Sequence, residues 1–237
     1  MQKQEFNNGR IAIYQGDCFE LLEQTENKTL DLCLIDPPYV YNDYSKGNKG
    51  FDEKKENIEF VKSISAGFES DKFFELIKEK LKFMNFMCFS STRQVPEIMN
   101  LGLTFKKYQT NLLTWKKGGR PFGNTYLHDL EFVTHIRETG ASFGGSYQSR
   151  VLDYISKREN GHPTEKPLAL IKKLVTFGSN ENDLIFDGFL GSGTTAIACH
   201  DLQRRLIACE IETKYFDLAC KRLEEHQKQS DFFINQF

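Results

Sequence analysis

The sequence contains no run of apolar residues long enough to span a membrane, and residues 1–10 include no apolar stretch of the length found in secretory signals. Both absences favour a cytoplasmic protein that does not enter a membrane. The 237 residues are 39% hydrophobic and 27% charged, which is typical of a chain that buries one full core. We therefore expect a single domain over residues 1–237.

Paired metal-binding and disulfide-forming residues are also missing. The six cysteines form no CxxC pair, and the five histidines include no two at a spacing that suits metal ligands. Isolated cysteines in apolar or helical patterns are usually buried thiols. We expect neither disulfides nor a metal site.

A strong positive charge is absent from the chain as a whole, whose net charge is −2. This balance argues against a uniformly basic nucleic-acid binder. The charge is uneven, since residues 102–173 carry 12 Lys and Arg against 6 Asp and Glu, whereas the segments on either side are acidic. The basic residues of this segment form either a phosphate-facing surface or an ordinary cluster of solvated charges. They include Lys106, Lys107, Lys116, Lys117, Arg120, Arg150, Lys157 and Arg158.

Short apolar runs alternate with helix-like stretches along the chain. The runs predict strands at 11–14, 30–35, 83–89, 110–115, 130–136, 184–186 and 206–209. The stretches between them predict helices at 72–81, 96–101, 168–177, 195–202 and 214–225. This alternation indicates an α/β fold with a doubly wound, mostly parallel, Rossmann-like sheet of seven strands. The runs near residues 110 and 130 lack a clear helix between them, which favours an antiparallel hairpin at one edge.

Two segments interrupt the alternation. Residues 40–70 are rich in Lys, Glu, Asn and Gly, and residues 139–161 contain several Gly and Ser. Long loops in a compact domain are usually functional or disordered. We expect residues 40–70 to form a mobile lid or DNA loop, and residues 139–161 to form an insertion that recognises the target.

The most informative motif consists of Asp36, Pro37, Pro38 and Tyr39, directly after an apolar run. Each proline lacks an N–H and restricts φ, so the strand must end here in a rigid turn. Asp36 and the Pro37 carbonyl are acceptors that suit the two N–H bonds of a planar exocyclic amine, and Tyr39 offers a ring face to the same base. The alternative is an ordinary Pro-Pro turn with an aromatic residue at its rim.

A glycine-rich segment, residues 187–195, lies between a predicted strand and a predicted helix. Its glycines let the backbone approach a ligand closely, and the helix N-terminus attracts a carboxylate or phosphate. Glu210, 23 residues after Asp187, ends the next strand, where it can accept both hydroxyls of a ribose. The combination indicates a cofactor that contains a nucleoside.

Two other interpretations of this segment stay open. Gly191, Gly193 and Ala196 satisfy the G-x-G-x-x-A pattern, which also suits an NAD-dependent oxidoreductase. The glycines can also serve only to pack a strand against a helix.

Position in the chain favours one arrangement. Only 44 residues follow Gly193, fewer than the remaining strands of a dinucleotide-binding half-fold require. The missing strands must come from the beginning of the chain, as in a circular permutation. The predicted strand 11–14 would then lie near the predicted strand 206–209, with Asp17 beside Glu210.

A third motif, residues 162–167, reads His-Pro-Thr-Glu-Lys-Pro and precedes a predicted helix. Its two prolines make it rigid, and Thr164 and Lys166 supply donors suited to a carboxylate. By itself it is equally typical of a helix start that Thr164 caps.

In this order the motifs resemble the amino DNA methyltransferases of the circularly permuted β class, which use S-adenosylmethionine. The resemblance covers nearly the whole chain, through Gly16-Asp17, the Asp36 tetrad, Trp115-Lys116, 162–167, 187–195 and Glu210. It implies a permuted class I methyltransferase fold and a restriction-modification type of enzyme. The partner would be double-stranded DNA, from which the target base is flipped.

The resemblance also implies roles for individual residues. Asp36, Pro37, Pro38 and Tyr39 would be catalytic and hold the target base, with Asp36 also bordering the cofactor. No metal is implied. The cofactor-binding residues would be Asp17 and Cys18 at the adenine, Glu210 at the ribose, and His162, Thr164, Lys166, Ser192, Gly193 and Thr194 at the methionine end, with Asp187, Phe189 and Gly191 in the same loop.

The choice of target base depends on the first residue of the tetrad. Aspartate at this position resembles the adenine-N6 enzymes, whereas cytosine-N4 enzymes more often have serine and protein-glutamine enzymes usually have asparagine. We therefore predict an adenine-N6 DNA methyltransferase, with cytosine-N4 methylation as the alternative. Methylation of RNA or protein, and DNA binding without catalysis, are further alternatives.

The chain departs from the family pattern at two places. Gly188 stands where proline is usual, and Lys117 and Gly118 follow Trp115-Lys116 where Asn-Pro is common. The first departure would loosen the glycine-rich segment. Apolar residues near the end of the sequence can dock on their own domain or form a homodimer, namely Phe232, Phe233, Ile234 and Phe237.

Overall fold

The computed structural model describes residues 1–39, 68–118, 126–127, 129–145, 148–155 and 165–234, the last five without their side chains. The strands are β1 (Gln2–Phe6), β2 (Ile11–Gln15), β3 (Leu32–Ile35), β4 (Asn85–Ser90), β5 (Tyr108–Lys116), β6 (Leu130–Glu138), β7 (Val151–Asp153), β8 (Leu184–Asp187) and β9 (Arg205–Glu210). The helices are α1 (Cys18–Gln24), α2 (Ser70–Lys80), α3 (Val95–Leu103), α4 (Leu168–Gly178), α5 (Thr194–Asp201) and α6 (Thr213–Ile234).

All described strands join one sheet in the order β1-β2-β9-β8-β3-β4-β6-β5-β7. The five strands from β2 to β4 are mutually parallel, and β6 runs antiparallel to both β4 and β5. This arrangement confirms the predicted doubly wound sheet and its antiparallel hairpin. The predicted number of seven strands is wrong for the described residues, because β1 and β7 extend the sheet to nine.

The two additional strands leave little trace in the sequence. β1 is an exposed edge strand of mostly polar residues, so it lacks the apolar pattern that marks a buried strand. It forms a hairpin with β2 through Asn7, Asn8 and Gly9, whose positive φ angles of 53°, 55° and 79° suit a tight turn. β7 has three residues and pairs parallel to β5, within the predicted insertion 139–161.

The sheet separates two hydrophobic cores. In β3, Leu32 and Leu34 join the core formed with α4, α5 and α6, whereas Cys33 and Ile35 join the core formed with α1, α2 and α3. Successive side chains of a strand point to opposite faces, so a strand buried on both sides is apolar at every position. Covering helices thus leave only the strand ends of the central sheet open to a ligand.

The chain is circularly permuted in the predicted sense. β2, from the beginning, pairs parallel to β9, from the end, and Gln15 lies opposite Glu210. The predicted neighbourhood of strands 11–14 and 206–209 is therefore confirmed. Residues 40–67, 146–147, 156–164 and the side chains of the apolar residues near the end lie outside the described part of the structure, so the predicted lid and homodimer remain predictions.

A buried polar cluster joins β4, β6 and α4. The Nε2 atom of His135 lies 3.0 Å from Asn85 Oδ1, and the Asn85 amide donates to the Asp31 and Gly178 carbonyls at 3.0 and 2.7 Å. Burial lowers the pKa of His135 from 6.5 to about 3. The imidazole is therefore neutral in the folded protein over the whole neutral and mildly acidic range.

This cluster predicts acid sensitivity. Because the His135 pKa is lower in the folded than in the unfolded chain, stability is lost as pH falls from 6.5 towards 3, by on the order of 5 kcal/mol in total. The His135→Gln variant keeps an amide donor for Asn85 but does not titrate. Urea unfolding at several pH values should show a weaker loss of stability in this variant, and equal losses in the two proteins would contradict the assignment.

Candidate active site

Four predicted site segments meet at one edge of the sheet. β2, β3, β8 and β9 are parallel, so Asp17, Asp36, Asp187 and Glu210, which end or follow these strands, lie at their common carboxyl edge. Ligands of doubly wound sheets bind at this edge. The acidic-proline turn and the glycine-rich segment therefore lie at the same edge of the sheet, as the prediction of a shared site requires.

Asp36 contacts a lysine from a distant part of the chain. Its Oδ2 atom accepts a hydrogen bond from Lys166 Nζ at 2.6 Å, although 130 residues separate the two. The other oxygen, Oδ1, is buried and accepts no hydrogen bond from the described residues. Burial raises the pKa of Asp36, and the attraction of Lys166 opposes this effect. The described residues therefore leave one oxygen of this carboxylate without a donor.

The Lys166 ammonium lies among aromatic rings and two carboxylates. Its side chain is 7% exposed, and Nζ is 5.0 Å from the ring centroid of Phe89 and 5.4 Å from that of Tyr39. A second carboxylate, Glu131 Oε2, lies 3.3 Å from Nζ. Burial alone would lower the pKa of Lys166, but the attraction of Asp36 and Glu131 outweighs burial and raises it. Lys166 is thus a permanent cation beside Asp36.

Glu131, on β6, extends this charge network and was missed by the sequence analysis. Its Oε1 atom accepts from Lys117 Nζ at 2.7 Å, and its Oε2 atom accepts from the Tyr39 hydroxyl at 3.2 Å. Burial acts to raise the pKa of Glu131, but attraction to Lys166 and Lys117 outweighs it and lowers the pKa. A glutamate inside the apolar run 130–136 is the signal that could have pointed to it.

The prolines place the tetrad against α3. The Gln94 amide donates to the Pro38 carbonyl at 3.3 Å, and its Oε1 atom accepts from the Ser91 hydroxyl at 2.8 Å. Tyr39 is 9% exposed. The turn is therefore fixed by Gln94 at Pro38 and by Glu131 at Tyr39.

The glycine-rich segment is shaped by two acidic side chains. Asp187 accepts from the Phe189 N–H at 3.0 Å, and burial raises its pKa to about 7. Glu210 Oε2 accepts from the Gly191 N–H at 2.8 Å. Gly193 has φ 84°, and a Cβ there would lie 2.9 Å from Ala219, so this position excludes larger residues. The segment is fixed before any ligand arrives.

Asp17 and Glu210 lie at adjacent strand ends. Asp17 caps α1, because its Oδ1 atom accepts from the Phe19 N–H at 2.8 Å. Glu210 Oε1 accepts from the Glu212 N–H at 3.0 Å, and burial raises the pKa of Glu210. Each carboxylate oxygen has a further lone pair, so these contacts leave acceptor capacity for a ligand hydroxyl.

Cys18 explains the departure from the family pattern at Gly188. A Cβ at Gly188 would lie 2.8 Å from Cys18 Cβ, a distance that real Cβ atoms do not show. The glycine therefore accommodates the packing of α1 and is not simply a loosening of the loop. Burial raises the pKa of the Cys18 thiol to about 12, so it is neutral.

Arg222 and Glu165 join two of the predicted cofactor segments and were also missed. Arg222, on α6, donates to the Ser192 carbonyl and lies 3.0 Å from Glu165 Oε1 through Nη2. The Ser192 and Thr194 hydroxyls face each other at 3.4 Å. Glu165, directly before Lys166, is thereby tied to the glycine-rich segment. His162 and Thr164 lie outside the described residues.

The described basic residues of 102–173 do not form one surface, and Arg120, Lys157 and Arg158 lie outside the described residues. Lys116 and Lys117 lie at the end of β5 on the Asp36 edge, whereas Lys106 and Lys107 precede β5 at the opposite edge. Lys107 pairs there with Glu138 at 3.2 Å. The charge concentration in the sequence therefore overstates the positive surface near the site.

His200, Asp201 and His226 come together between α5 and α6, with possible ligand atoms within 4.8 Å of one another. The spacing of histidines in the sequence gave no sign of this cluster. Asp201 already pairs with Lys172 at 2.6 Å and with His226 at 2.6 Å. These contacts of Asp201 explain why the three side chains lie together, because they connect the helices that carry Lys172, Asp201 and His226.

The chain is similar to known DNA methyltransferases in sequence and in fold. A family model described as DNA methylase matches residues 137–221. The Type II methyltransferase M2.DpnII of Streptococcus pneumoniae is 25% identical over 94% of this chain and 93% of its own length. The crystal structure of an M1.HpyAVI–SAM complex is 26% identical and superposes with a TM-score of 0.68 over 90% of this chain and all of that one.

The chain is an S-adenosylmethionine-dependent DNA methyltransferase. The PvuII DNA methyltransferase (cytosine-N4-specific) superposes with a TM-score of 0.68 over 95% of this chain and 93% of its own, at 17% identity, which is a likeness of fold alone. Within the described residues, no helix of the methyltransferase is both long and apolar enough to cross a membrane.

The residues of the edge fit this cofactor by their chemistry. Glu210 supplies carboxylate oxygens suited to a ribose diol, and the N-terminus of α5 with the Ser192 and Thr194 hydroxyls suits a carboxylate. Lys166 and Asp36 lie at the same edge as these groups. The donor set therefore matches a molecule that carries a nucleoside and an amino acid.

The Arg222 bridge predicts a loss of cofactor affinity when it is removed. Arg222→Met should raise the dissociation constant of S-adenosylmethionine by about tenfold, because Glu165 and the glycine-rich segment lose their common partner. Isothermal titration calorimetry measures this effect. Lys221→Met, at an exposed neighbouring lysine, is the matched control and should bind like the wild type. Equal affinities in the two variants would contradict the role.

Proposed function

We propose that the enzyme methylates the exocyclic N6 amine of adenine in double-stranded DNA. The single observation that carries this proposal is the buried Oδ1 of Asp36, which has no hydrogen-bond partner among the described residues and belongs to the same turn as Tyr39, at the edge where the predicted cofactor residues converge. An acceptor in this position suits an amine donor on a flat ring.

The identity of the target base rests on the tetrad. Asp36 heads it where cytosine-N4 enzymes more often have serine, and this supports adenine. Shared fold does not decide between the two bases, because the cytosine-N4-specific PvuII enzyme has a similar fold. Cytosine-N4 methylation is therefore the alternative outcome of the test below.

The target base must leave the duplex to reach a pocket at the sheet edge. Unstacking and unpairing cost a few kcal/mol, which stacking on Tyr39 and hydrogen bonds within the pocket offset. Lys116, at the end of β5, and residues 139–161 are the groups we propose to contact DNA.

Bound S-adenosylmethionine supplies a methyl group on a positively charged sulfur. Asp36 Oδ1 and the Pro37 carbonyl accept hydrogen bonds from the two N–H groups of the amine. These bonds localise the lone pair of the nitrogen for attack on the methyl group. Pro37 and Pro38 keep these acceptors rigid, and the Tyr39 ring fixes the plane of the base. Ionised Asp36 also stabilises the positive charge that develops on the nitrogen.

The cofactor residues take complementary parts of the same molecule in this proposal. Asp17 and Cys18 lie at the adenine and Glu210 at the ribose, with Asp187, Phe189, Gly191 and Gly193 shaping the backbone around them. Ser192, Thr194 and Lys166 face the methionine end, together with His162 and Thr164. Lys166 would thus contact Asp36 and also lie near the methionine end of the cofactor.

Mass spectrometry of nucleosides tests the proposal. DNA incubated with the enzyme and isotope-labelled S-adenosylmethionine should contain labelled N6-methyladenine. Labelled N4-methylcytosine would replace the adenine assignment with the alternative, and label recovered only in RNA or protein would overturn the DNA target.

Asp36→Asn should lower the turnover number by at least about a hundredfold, because the neutral amide loses the charge that stabilises the reacting nitrogen. Cofactor affinity should change far less, since the side chain keeps its shape. Single-turnover transfer and calorimetry measure the two effects. Asp217→Asn, at an exposed position of α6, is the control. Transfer by Asp36→Asn at the control rate would refute the catalytic role.

Two changes at Tyr39 separate its ring from its hydroxyl. Tyr39→Phe keeps the ring but removes the hydroxyl that donates to Glu131, and it should slow transfer by less than about tenfold. Tyr39→Ala removes the stacking surface and should slow it by about ten- to a hundredfold. Transfer assays on the same oligonucleotide measure both, and equal effects would show that the ring does not hold the base.

A further inference from the structure

Four charged groups of alternating sign form a continuous chain into the candidate active site. Asp36 pairs with Lys166 at 2.6 Å, Lys166 with Glu131 at 3.3 Å, and Glu131 with Lys117 at 2.7 Å. These groups come from the turn after β3, the segment before α4, β6 and the end of β5. Side chains brought together from so many elements depend on the folded sheet for their geometry.

Glu131 occupies the centre of this chain. Its side chain is 16% exposed, and its two oxygens contact three donors, from Lys117, Lys166 and Tyr39. Residue 131 pairs with Trp115 across the β5–β6 hairpin, which fixes its position relative to the tetrad. A partly buried carboxylate with this many partners is costly to remove, because each partner loses a compensating charge or acceptor.

The Lys166 ammonium is shared between the carboxylates of Asp36 and Glu131. The ammonium has three donors, of which one is directed to Asp36 Oδ2 and one to Glu131 Oε2. While Glu131 holds one N–H donor of the ammonium, Asp36 Oδ1 stays without a partner among the described residues. Without Glu131, the ammonium would be free to bridge both oxygens of Asp36 and occupy the acceptor that the target amine needs.

We propose that Glu131 is a positioning residue for methyl transfer, which keeps Lys166 on Asp36 Oδ2 and anchors the Tyr39 hydroxyl so that Asp36 Oδ1 faces the amine. This inference rests on the proposed function of Asp36 and Tyr39. Glu131 acts through these residues and does not itself contact the base.

Several titratable groups surround Asp36. Lys166, Glu131 and Tyr39 act on it directly, and it interacts with Asp187 of β8 and Cys88 of β4. Burial raises the pKa of Asp36, Lys166 lowers it by attraction, and Glu131 raises it again by repulsion. A change at Glu131 should therefore be visible in the titration of Asp36.

The kinetic test uses Glu131→Gln, which keeps the size and the hydrogen-bonding atoms but removes the charge. We expect the turnover number to fall by about tenfold, while KM for DNA and for the cofactor changes by less than about threefold. Glu131→Asp keeps the charge and should recover part of the loss. Glu138→Gln, the same substitution at the other end of β6, is the matched control and should behave like the wild type.

The titration test uses the ligand-free protein with ¹³C-labelled aspartate, in which the Asp36→Asn variant identifies the Asp36 resonance. Glu131→Gln should lower the pKa of Asp36, since repulsion is lost and Lys166 bonds to it more fully. Lys117→Met should raise the pKa of Asp36, since the charge of Glu131 is then less compensated. A role limited to packing predicts no such opposite pair of shifts.

The outcomes separate this inference from the proposed function. Opposite shifts together with a reduced turnover number in Glu131→Gln support it. Wild-type turnover in Glu131→Gln, or shifts that are absent or share one sign, overturn it while the proposed function stands. A wild-type enzyme that methylates no DNA base overturns the proposed function, and the titration still reports the geometry. If Glu131→Gln does not fold, Lys117→Met decides alone through its upward shift or the lack of it.

Discussion

The parallel pairing of β2 with β9 is the constraint on which the rest of the site depends. It joins the beginning of the chain to its end, with Gln15 opposite Glu210. Because β8 then lies between β9 and β3, the turn that carries Asp36 comes to the same edge as the glycine-rich segment. A single pairing thus brings the groups proposed to hold the methyl donor and the methyl acceptor to one edge of the sheet.

The charged side chains at this edge compensate one another, which lowers the cost of burying them. An isolated buried carboxylate would take up a proton, and an isolated buried ammonium would lose one. Alternation of Asp36, Lys166, Glu131 and Lys117 keeps each charge beside an opposite one, and the attraction of Lys166 opposes the rise that burial causes in the pKa of Asp36. The aromatic rings of Phe89 and Tyr39 around Lys166 lower the cost of burying the cation further.

Arg222 connects two of the segments that are predicted to bind the cofactor. It connects Glu165 to the Ser192 carbonyl, so the segment before α4 and the segment before α5 have a common anchor on α6. Lys166 follows Glu165 directly and reaches Asp36. The proposed methionine end and the proposed amine acceptor are therefore linked through two adjacent residues of one short segment.

The sequence by itself determined the strand and helix alternation, the permuted order and the chemistry of the Asp36 tetrad, because these depend on local patterns of apolar residues, prolines and glycines. It did not reveal β1, whose polar edge lacks that pattern, or the packing of Cys18 against Gly188. Only the tertiary structure decided that Lys166 contacts Asp36 and that Glu131 and Arg222 contact the predicted site segments. Such contacts join residues as many as 130 positions apart, and strand order and register, which no local pattern encodes, set which side chains meet.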